Sequence, residues 1–242
     1  MKDIAYFKIL FLIIFIFFLP FLIRPELLTT KDNDLGGNYV PIFSFIQKSV
    51  FTYHQIPLWR PDQLLGESFI SNPLYSPFYP ANLIYIFLPV KLGSIVYYLI
   101  HFLIAAYSTY FLAKSFGFSP KGSFTAALFY SLSFKMLVHL EAGHITMVAA
   151  FSLFPLVFLS TRKLISNYNP KWLAVASVSL ALIYFSYPSI FYYTALFISA
   201  YWIYIVLFSP GFKKYSLIKS GALIFTTFTL AIMIMAIELL PH

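Results

Sequence analysis

From Trp172 to Phe212 the chain carries no charged side chain, and that run restricts its fold more than any other feature. A helix crossing the hydrocarbon core of a bilayer needs about 20 consecutive apolar residues, each rising about 1.5 Å. The run is long enough for two crossings. Tyr187-Pro188 divides it near the middle, because proline disfavours helix at the residue before it. Residues 92–113 and 145–161 are likewise uncharged, and apolar runs of crossing length also cover 4–23, with Lys8 near its inner end, and about 218–238. A weaker one, 121–138, has only a short uncharged stretch between Lys121 and Lys135 and reads as a short, tilted or partly re-entrant helix. The expected fold is an all-α polytopic membrane protein of about seven transmembrane helices: 4–23, 92–113, 121–138, 145–161, 172–187, 189–209 and 218–238. A long loop, residues 24–91, separates the first two.

Composition agrees. With 60% hydrophobic, 21% aromatic and 10% charged residues, a soluble globular chain is excluded, and aromatic rims at the headgroups are expected. The absence of cysteine removes disulfides and thiolate metal sites. A net charge of +8 could suit nucleic acid, but the basic residues are spread over short loops: Lys114 and Lys121, then Arg162, Lys163 and Lys171, then Lys213, Lys214 and Lys219. Placing those loops in the cytoplasm satisfies the positive-inside rule. It leaves the turns after residue 138, around Tyr187 and after Ile237 free of Lys and Arg. The N-terminus is then cytoplasmic, the expected location is the plasma membrane, and the expected partners are membrane lipids rather than nucleic acid. Residues 9–23 lack a small-x-small cleavage site, so the first helix reads as an uncleaved signal anchor.

This topology places Glu26, Asp32, Asp34, Asp62, Glu67, Glu141 and Glu238 on the outer side and only Asp3 inside. Carboxylates beside a bilayer are costly unless solvated, paired or used, so the outer side is where chemistry is expected. Within the long loop, Pro25, Pro41, Pro57, Pro61, Pro73, Pro77 and Pro80 rule out one continuous helix. Ile42, Ile46 and Val50 follow a four-residue step, with Phe43 and Phe51 nearby. That suits a short amphipathic helix on the bilayer surface, starting near Pro41. Gly36-Gly37 would let the backbone turn sharply before it.

Three groups carry candidate chemistry. Asp34, beside Asp32, could act as a general base toward an acceptor hydroxyl or bind a divalent cation; the same composition also suits a solvated turn. Residues 56–83 read as a loop packed on itself through Trp59, Tyr75, Phe78 and Tyr79, holding Glu67 and Asn72 in place, or as an aromatic loop at the headgroups. His139-Leu-Glu141-Ala-Gly-His144 sets two imidazoles and a carboxylate at one turn, able to bind a metal, orient a phosphate or move protons. No further fixed ligand marks it as a zinc site, and it also reads as a polar turn contributing to a cleft. Lys135, one helical turn earlier, could neutralise a phosphate or snorkel. His101, Thr226 and Thr227 lie within spans and read as interhelical hydrogen-bonding residues. No phosphate-cradling glycine loop, nucleophile elbow or nucleotide fingerprint occurs, which argues against ATP-driven chemistry.

At these motifs the chain resembles the YfhO-like bacterial membrane proteins, within the GT-C superfamily of polytopic glycosyltransferases. The resemblance rests on Asp34, Tyr39 and Pro41, on Pro57-Leu58-Trp59-Arg60-Pro61, and on Gly66-Glu67, Asn72-Pro73 and Tyr79-Pro80-Ala81-Asn82. It continues in Gly143-His144, Pro155-Leu156 and Glu238-Leu239-Leu240-Pro241, and is best over residues 20–165. Arg60 stands where that family has Asn, and Glu67 departs from its Gly-x-Pro turn. The resemblance implies transfer of a sugar from a polyprenyl-phosphate donor to an acceptor on the extracytoplasmic face. Asp34 would be the catalytic base or a metal-supporting carboxylate, with a divalent cation as candidate cofactor. His144 and Lys135 would face the donor phosphate, and Tyr39, Glu67, Asn72, His139 and Glu141 would complete the substrate site. Family members are longer, so the chain is expected to be an N-terminal portion. The alternative is a lipid-carrier or polysaccharide transporter, or a non-catalytic subunit of an assembly complex. A transporter should carry charges inside its spans and broken helices near the midplane, whereas here the polar residues gather at one face.

Overall fold

The structure, a computed structural model, describes residues 2–30, 32–63, 65–208 and 214–239. Its helices are α1 (Lys2–Ile23), α2 (Val40–Phe51), α3 (Ile84–Phe87), α4 (Val90–Ser115), α5 (Pro120–Ser131), α6 (Phe134–Glu141), α7 (Ile145–Asn167), α8 (Pro170–Ser186), α9 (Pro188–Phe208) and α10 (Lys214–Leu239). Two short strands, β1 (Trp59–Arg60) and β2 (Glu67–Ser68), pair antiparallel with Arg60 opposite Glu67. Among the described residues, six segments are long and apolar enough to cross a membrane: α1, α4, α5 with α6, α7, α9 and α10. The apolar α8 has 17 residues; at about 26 Å it is only slightly short of the hydrocarbon thickness.

In lipid every backbone polar group must be satisfied within the segment, which is why apolar runs become helices here. The interior is built on α7, which packs against α4 and α8. Small residues line these contacts: Ala105 and Ala106 on α4, Ala149, Ala150 and Ser152 on α7, and Ala176, Ser177 and Ala181 on α8, all fully buried. Without a hydrophobic drive between helices in lipid, close backbone approach through small side chains supplies the packing. By contrast α9 exposes Tyr192, Leu196, Tyr204 and Leu207, a surface suited to acyl chains.

The segment expected at 121–138 is a broken crossing of 22 residues, Pro120–Glu141. Leu132 and Ser133 interrupt it, and the Ser133 hydroxyl accepts the Met136 N–H at 3.4 Å to start α6. The two ends of the bundle differ in chemistry. At one, Asp3 accepts hydrogen bonds from Lys114 Nζ (2.7 Å) and the Tyr110 hydroxyl. Near the chain reversal after α4, Arg162 donates to the Ser115 carbonyl at 3.1 Å and to the Tyr201 hydroxyl at 2.9 Å. The other end carries the long loop, whose Ser76 hydroxyl donates to the carbonyl of Ser186 at the end of α8 (3.1 Å).

Several expectations are corrected here. Most of the apolar face of α2 is covered by protein rather than offered to lipid: Ile42, Phe43 and Ile46 are buried, while Phe51 at its end is exposed. Phe43 stacks on Tyr85 with centroids 3.8 Å apart, and Phe45 meets Phe69 at 5.5 Å. Gln47 donates to the carbonyls of Tyr85 (2.7 Å) and Leu88 (2.8 Å), tying α2 to α3. Gly36 lies in a π-helical turn, Leu35–Tyr39. Its role is close approach: a Cβ there would run into the Thr30 carbonyl. The loop expected over 56–83 buries Tyr75 and Tyr79, but Trp59 stays 57% exposed. His101 joins the long loop to α4 rather than two spans. Its Nδ1 lies 2.7 Å from the Tyr97 carbonyl, which only accepts, so Nε2 accepts from the Tyr79 hydroxyl at 2.7 Å. Thr226 and Thr227 donate to Ala222 and Leu223 of their own helix, both at 2.8 Å. Leu240 and Pro241, part of the family resemblance, and Lys213 lie outside the described residues.

Candidate functional site

The segment after α1 is docked on the α6–α7 turn by main-chain groups. The Asn33 side chain donates to the carbonyls of Leu28 (2.8 Å) and Glu141 (3.3 Å) and accepts from the Gly36 N–H (3.0 Å). The Asp34 N–H donates to the Ala142 carbonyl at 3.1 Å. Gly143 makes this approach possible. Its φ is +78°, and a Cβ would overlap the backbone nitrogen of Leu35, so both conformation and space call for glycine.

Docking brings Asp34 Oδ2 to 3.1 Å from His144 Nε2. Asp34 Oδ1 accepts from Asn38 at 3.1 Å. On its other side His144 Nδ1 lies 2.9 Å from His139 Nδ1. A carboxylate and two imidazoles thus form a chain leading away from a cavity of about 620 Å³, whose wall includes Asp34 and His144. Tyr39 also lines it and shares a hydrogen bond of 3.0 Å with Thr146 at the start of α7. Burial raises the Tyr39 phenol above its ordinary value, so it stays neutral.

The opposite wall comes from the β1–β2 hairpin and the turn after it. Glu67 accepts from the Tyr75 hydroxyl and from Asn72 (3.3 Å). Asn72 also caps the following turn by accepting the Leu74 N–H at 3.0 Å. Burial, and next the Glu67 carboxylate, push the Tyr75 phenol up. Arg60, almost fully buried, donates from Nε to Asp62 at 3.0 Å and sits 5.6 Å from the Tyr75 ring centre. That hydrogen bond holds the Asp62 carboxyl below its usual range.

Of the residues expected from sequence, Asp34, Tyr39, Glu67, Asn72 and His144 line this one cavity. His139 stands behind His144 and does not line it. Glu141 is exposed and contributes its main-chain carbonyl, and exposed Lys135 places Nζ 4.8 Å from the Phe151 ring centre. Arg60 and Tyr75 were missed as cavity residues. The signal in the sequence was an Arg standing two residues before an Asp, Arg60 and Asp62. Among the described residues, no group of three or more His, Cys, Asp or Glu side chains is placed to hold a metal ion. Asp34 has Oδ2 on His144 and Oδ1 on Asn38, and no third His, Asp or Glu side chain among the described residues converges on that pair. The His139–His144 string forms an imidazole pair, not a zinc site.

The crossing helices and the cavity at one end of them define the class: an all-α polytopic membrane protein with a polar site at the end of its helix bundle. Comparison with family models, with curated proteins and with solved structures gives no match.

Proposed function

We propose that this chain carries the site of a membrane glycosyltransferase of GT-C type, which transfers a sugar from a polyprenyl-phosphate donor to an acceptor hydroxyl. The site faces the extracytoplasmic side of the plasma membrane, and the N-terminus is cytoplasmic. One observation supports this above the rest: a carboxylate oriented by His144 and Asn38 opens into a cavity of about 620 Å³ that also holds Glu67, Asn72 and Arg60. That volume lies in the usual range for small-ligand sites. Its place at the end of the bundle is where a lipid-borne donor presents its reactive end. Asp34, Tyr39, Pro41, Arg60, Glu67, Asn72 and His144, all taken from the YfhO-like motifs described above, line this cavity.

The chemistry follows from the residues. The acceptor oxygen bonds to the anomeric carbon while Asp34 takes the hydroxyl proton. The bond from that carbon to the phosphate oxygen breaks, and polyprenyl phosphate leaves with the electron pair. Positive charge developing on the sugar is favoured by Asp34 and Glu67. Arg60 is the wall's guanidinium and suits the departing phosphate through charge-assisted hydrogen bonds.

A transporter of lipid carriers is the second reading, favoured by the break at Leu132–Ser133, since transporters use discontinuous helices. The protein in lipid vesicles, supplied with radiolabelled polyprenyl-phosphate sugars, separates the two. Transfer is expected from the parent, with a loss of about 10²–10⁴-fold in Asp34→Asn. Undiminished transfer by the variant removes Asp34 from the chemistry. Carrier translocation without transfer by the parent favours the transporter.

A further inference from the structure

We infer that His139 is a positioning residue that holds His144 neutral, with its proton on Nε2, so that Asp34 rather than His144 accepts the substrate proton. This rests on the reading of Asp34 as the base.

Both ring nitrogens of His144 are engaged, Nε2 by Asp34 at 3.1 Å and Nδ1 by His139 at 2.9 Å. An ionised carboxylate only accepts, so the proton between His144 and Asp34 sits on Nε2. The contact between the two Nδ1 atoms holds one proton, and its owner decides the state of the pair. If His139 owns it, both rings are neutral and His139 Nε2 is a bare acceptor. If His144 owns it, His144 is an imidazolium and His139 must carry its own proton on Nε2.

His139 Nε2 is buried and has no hydrogen-bond partner among the described residues. Either arrangement leaves that nitrogen unpaired, but the first does so without placing a charge on the partly buried ring pair, and burying a charge costs more than burying a neutral polar group, which favours the first arrangement. The surrounding charges divide. Asp34 would welcome an imidazolium, whereas Lys135 opposes one. Lys135 Nζ lies 4.8 Å from the Phe151 ring centre, and the His139 ring stacks on the same residue at 5.4 Å. Glu141, also on α6, is exposed to water and screened.

The consequence is chemical. A neutral His144 with both nitrogens occupied has no lone pair left for a substrate. The Asp34 carboxylate offers about four acceptor positions. His144 and Asn38 use two of them, leaving room for an acceptor hydroxyl. The proton of that hydroxyl goes to Asp34, while the His144 N–H keeps the carboxylate oriented.

The test is nitrogen NMR on protein labelled with ¹⁵N-histidine in lipid nanodiscs, where a protonated ring nitrogen is distinguished from a bare one. His144 signals are assigned by their loss in His144→Gln. Near neutral pH the expected result is a bare Nδ1 and protonated Nε2 on His144, with the reverse on His139. His139→Phe keeps the ring against Phe151 but removes the donor, and should shift His144 into a mixture of tautomers. His139→Asn restores an N–H near the old Nδ1 and should restore the parent signal. A doubly protonated His144 in the parent overturns the inference, as does an unchanged His144 spectrum in His139→Phe. Because no substrate is present, failure of the transferase reading and failure of this inference show separately.

Discussion

At Gly143 the backbone holds φ +78° and the main chain of Leu35 occupies the space a side chain would need. Gly143→Ala therefore meets a left-handed conformation costing about 1–2 kcal/mol as well as a clash with backbone that cannot swing aside. The expected outcome is a lower midpoint in thermal melts and loss of the Asp34–His144 contact, seen as a changed His144 NMR signal. An unchanged midpoint would mean that the α6–α7 turn does not dock on Leu35. Tyr79 is a second residue whose role was hidden. Its hydroxyl is buried and bonded to His101. Tyr79→Phe should destabilise by about 0.5–1.5 kcal/mol and strand an imidazole nitrogen, detectable by thermal unfolding. Neither pairing was legible in the chain, because each joins groups that only the folded loop brings together.

Among the elements, α6 begins where the Ser133 hydroxyl accepts the Met136 N–H. Ser133→Ala should cost about 0.5–2 kcal/mol, and because α6 ends at the His139–His144 turn, amide exchange at residues 134–141 is where the loosening should be read. The β1–β2 hairpin carries a pH dependence. Asp62 has its carboxyl held down by the hydrogen bond from Arg60. A depressed folded pKa contributes stability above the unfolded value of about 3.9, lost as pH falls through the depressed value. The size should stay under about 1 kcal/mol, since Asp62 is 58% exposed. Exchange of residues 58–75, corrected for its intrinsic pH dependence, should rise below about pH 4, and Asp62→Asn should remove that rise. The amphipathic step of α2 was readable as periodicity, but periodicity states only that a face is apolar. Whether lipid or the chain itself covers that face is a tertiary question, and here the long loop covers most of it.

For the whole molecule, the absence of cysteine makes orientation directly testable with single introduced thiols. Asp32→Cys should react with an impermeant maleimide on intact cells, and Lys171→Cys only after permeabilisation. The reverse pattern would put the cavity on the cytoplasmic side and end the proposal of an extracytoplasmic site. Sequence alone determined the crossing helices: residues 4–23, 92–113 and 189–209 became Lys2–Ile23, Val90–Ser115 and Pro188–Phe208. The reason is that hydrocarbon offers backbone groups no partner outside their own helix, so length and apolarity suffice. It also singled out Asp34 and His144, because charged and titratable groups beside a bilayer are scarce and costly. Tertiary structure decided that these two meet, that His139 stands behind them, and that Arg60 joins the wall. Those placements depend on hydrogen bonds from the Asn33 side-chain amide and the Asp34 N–H to the carbonyls of Glu141 and Ala142; that N–H and those carbonyls are groups every residue can supply, and they leave no mark on side-chain pattern.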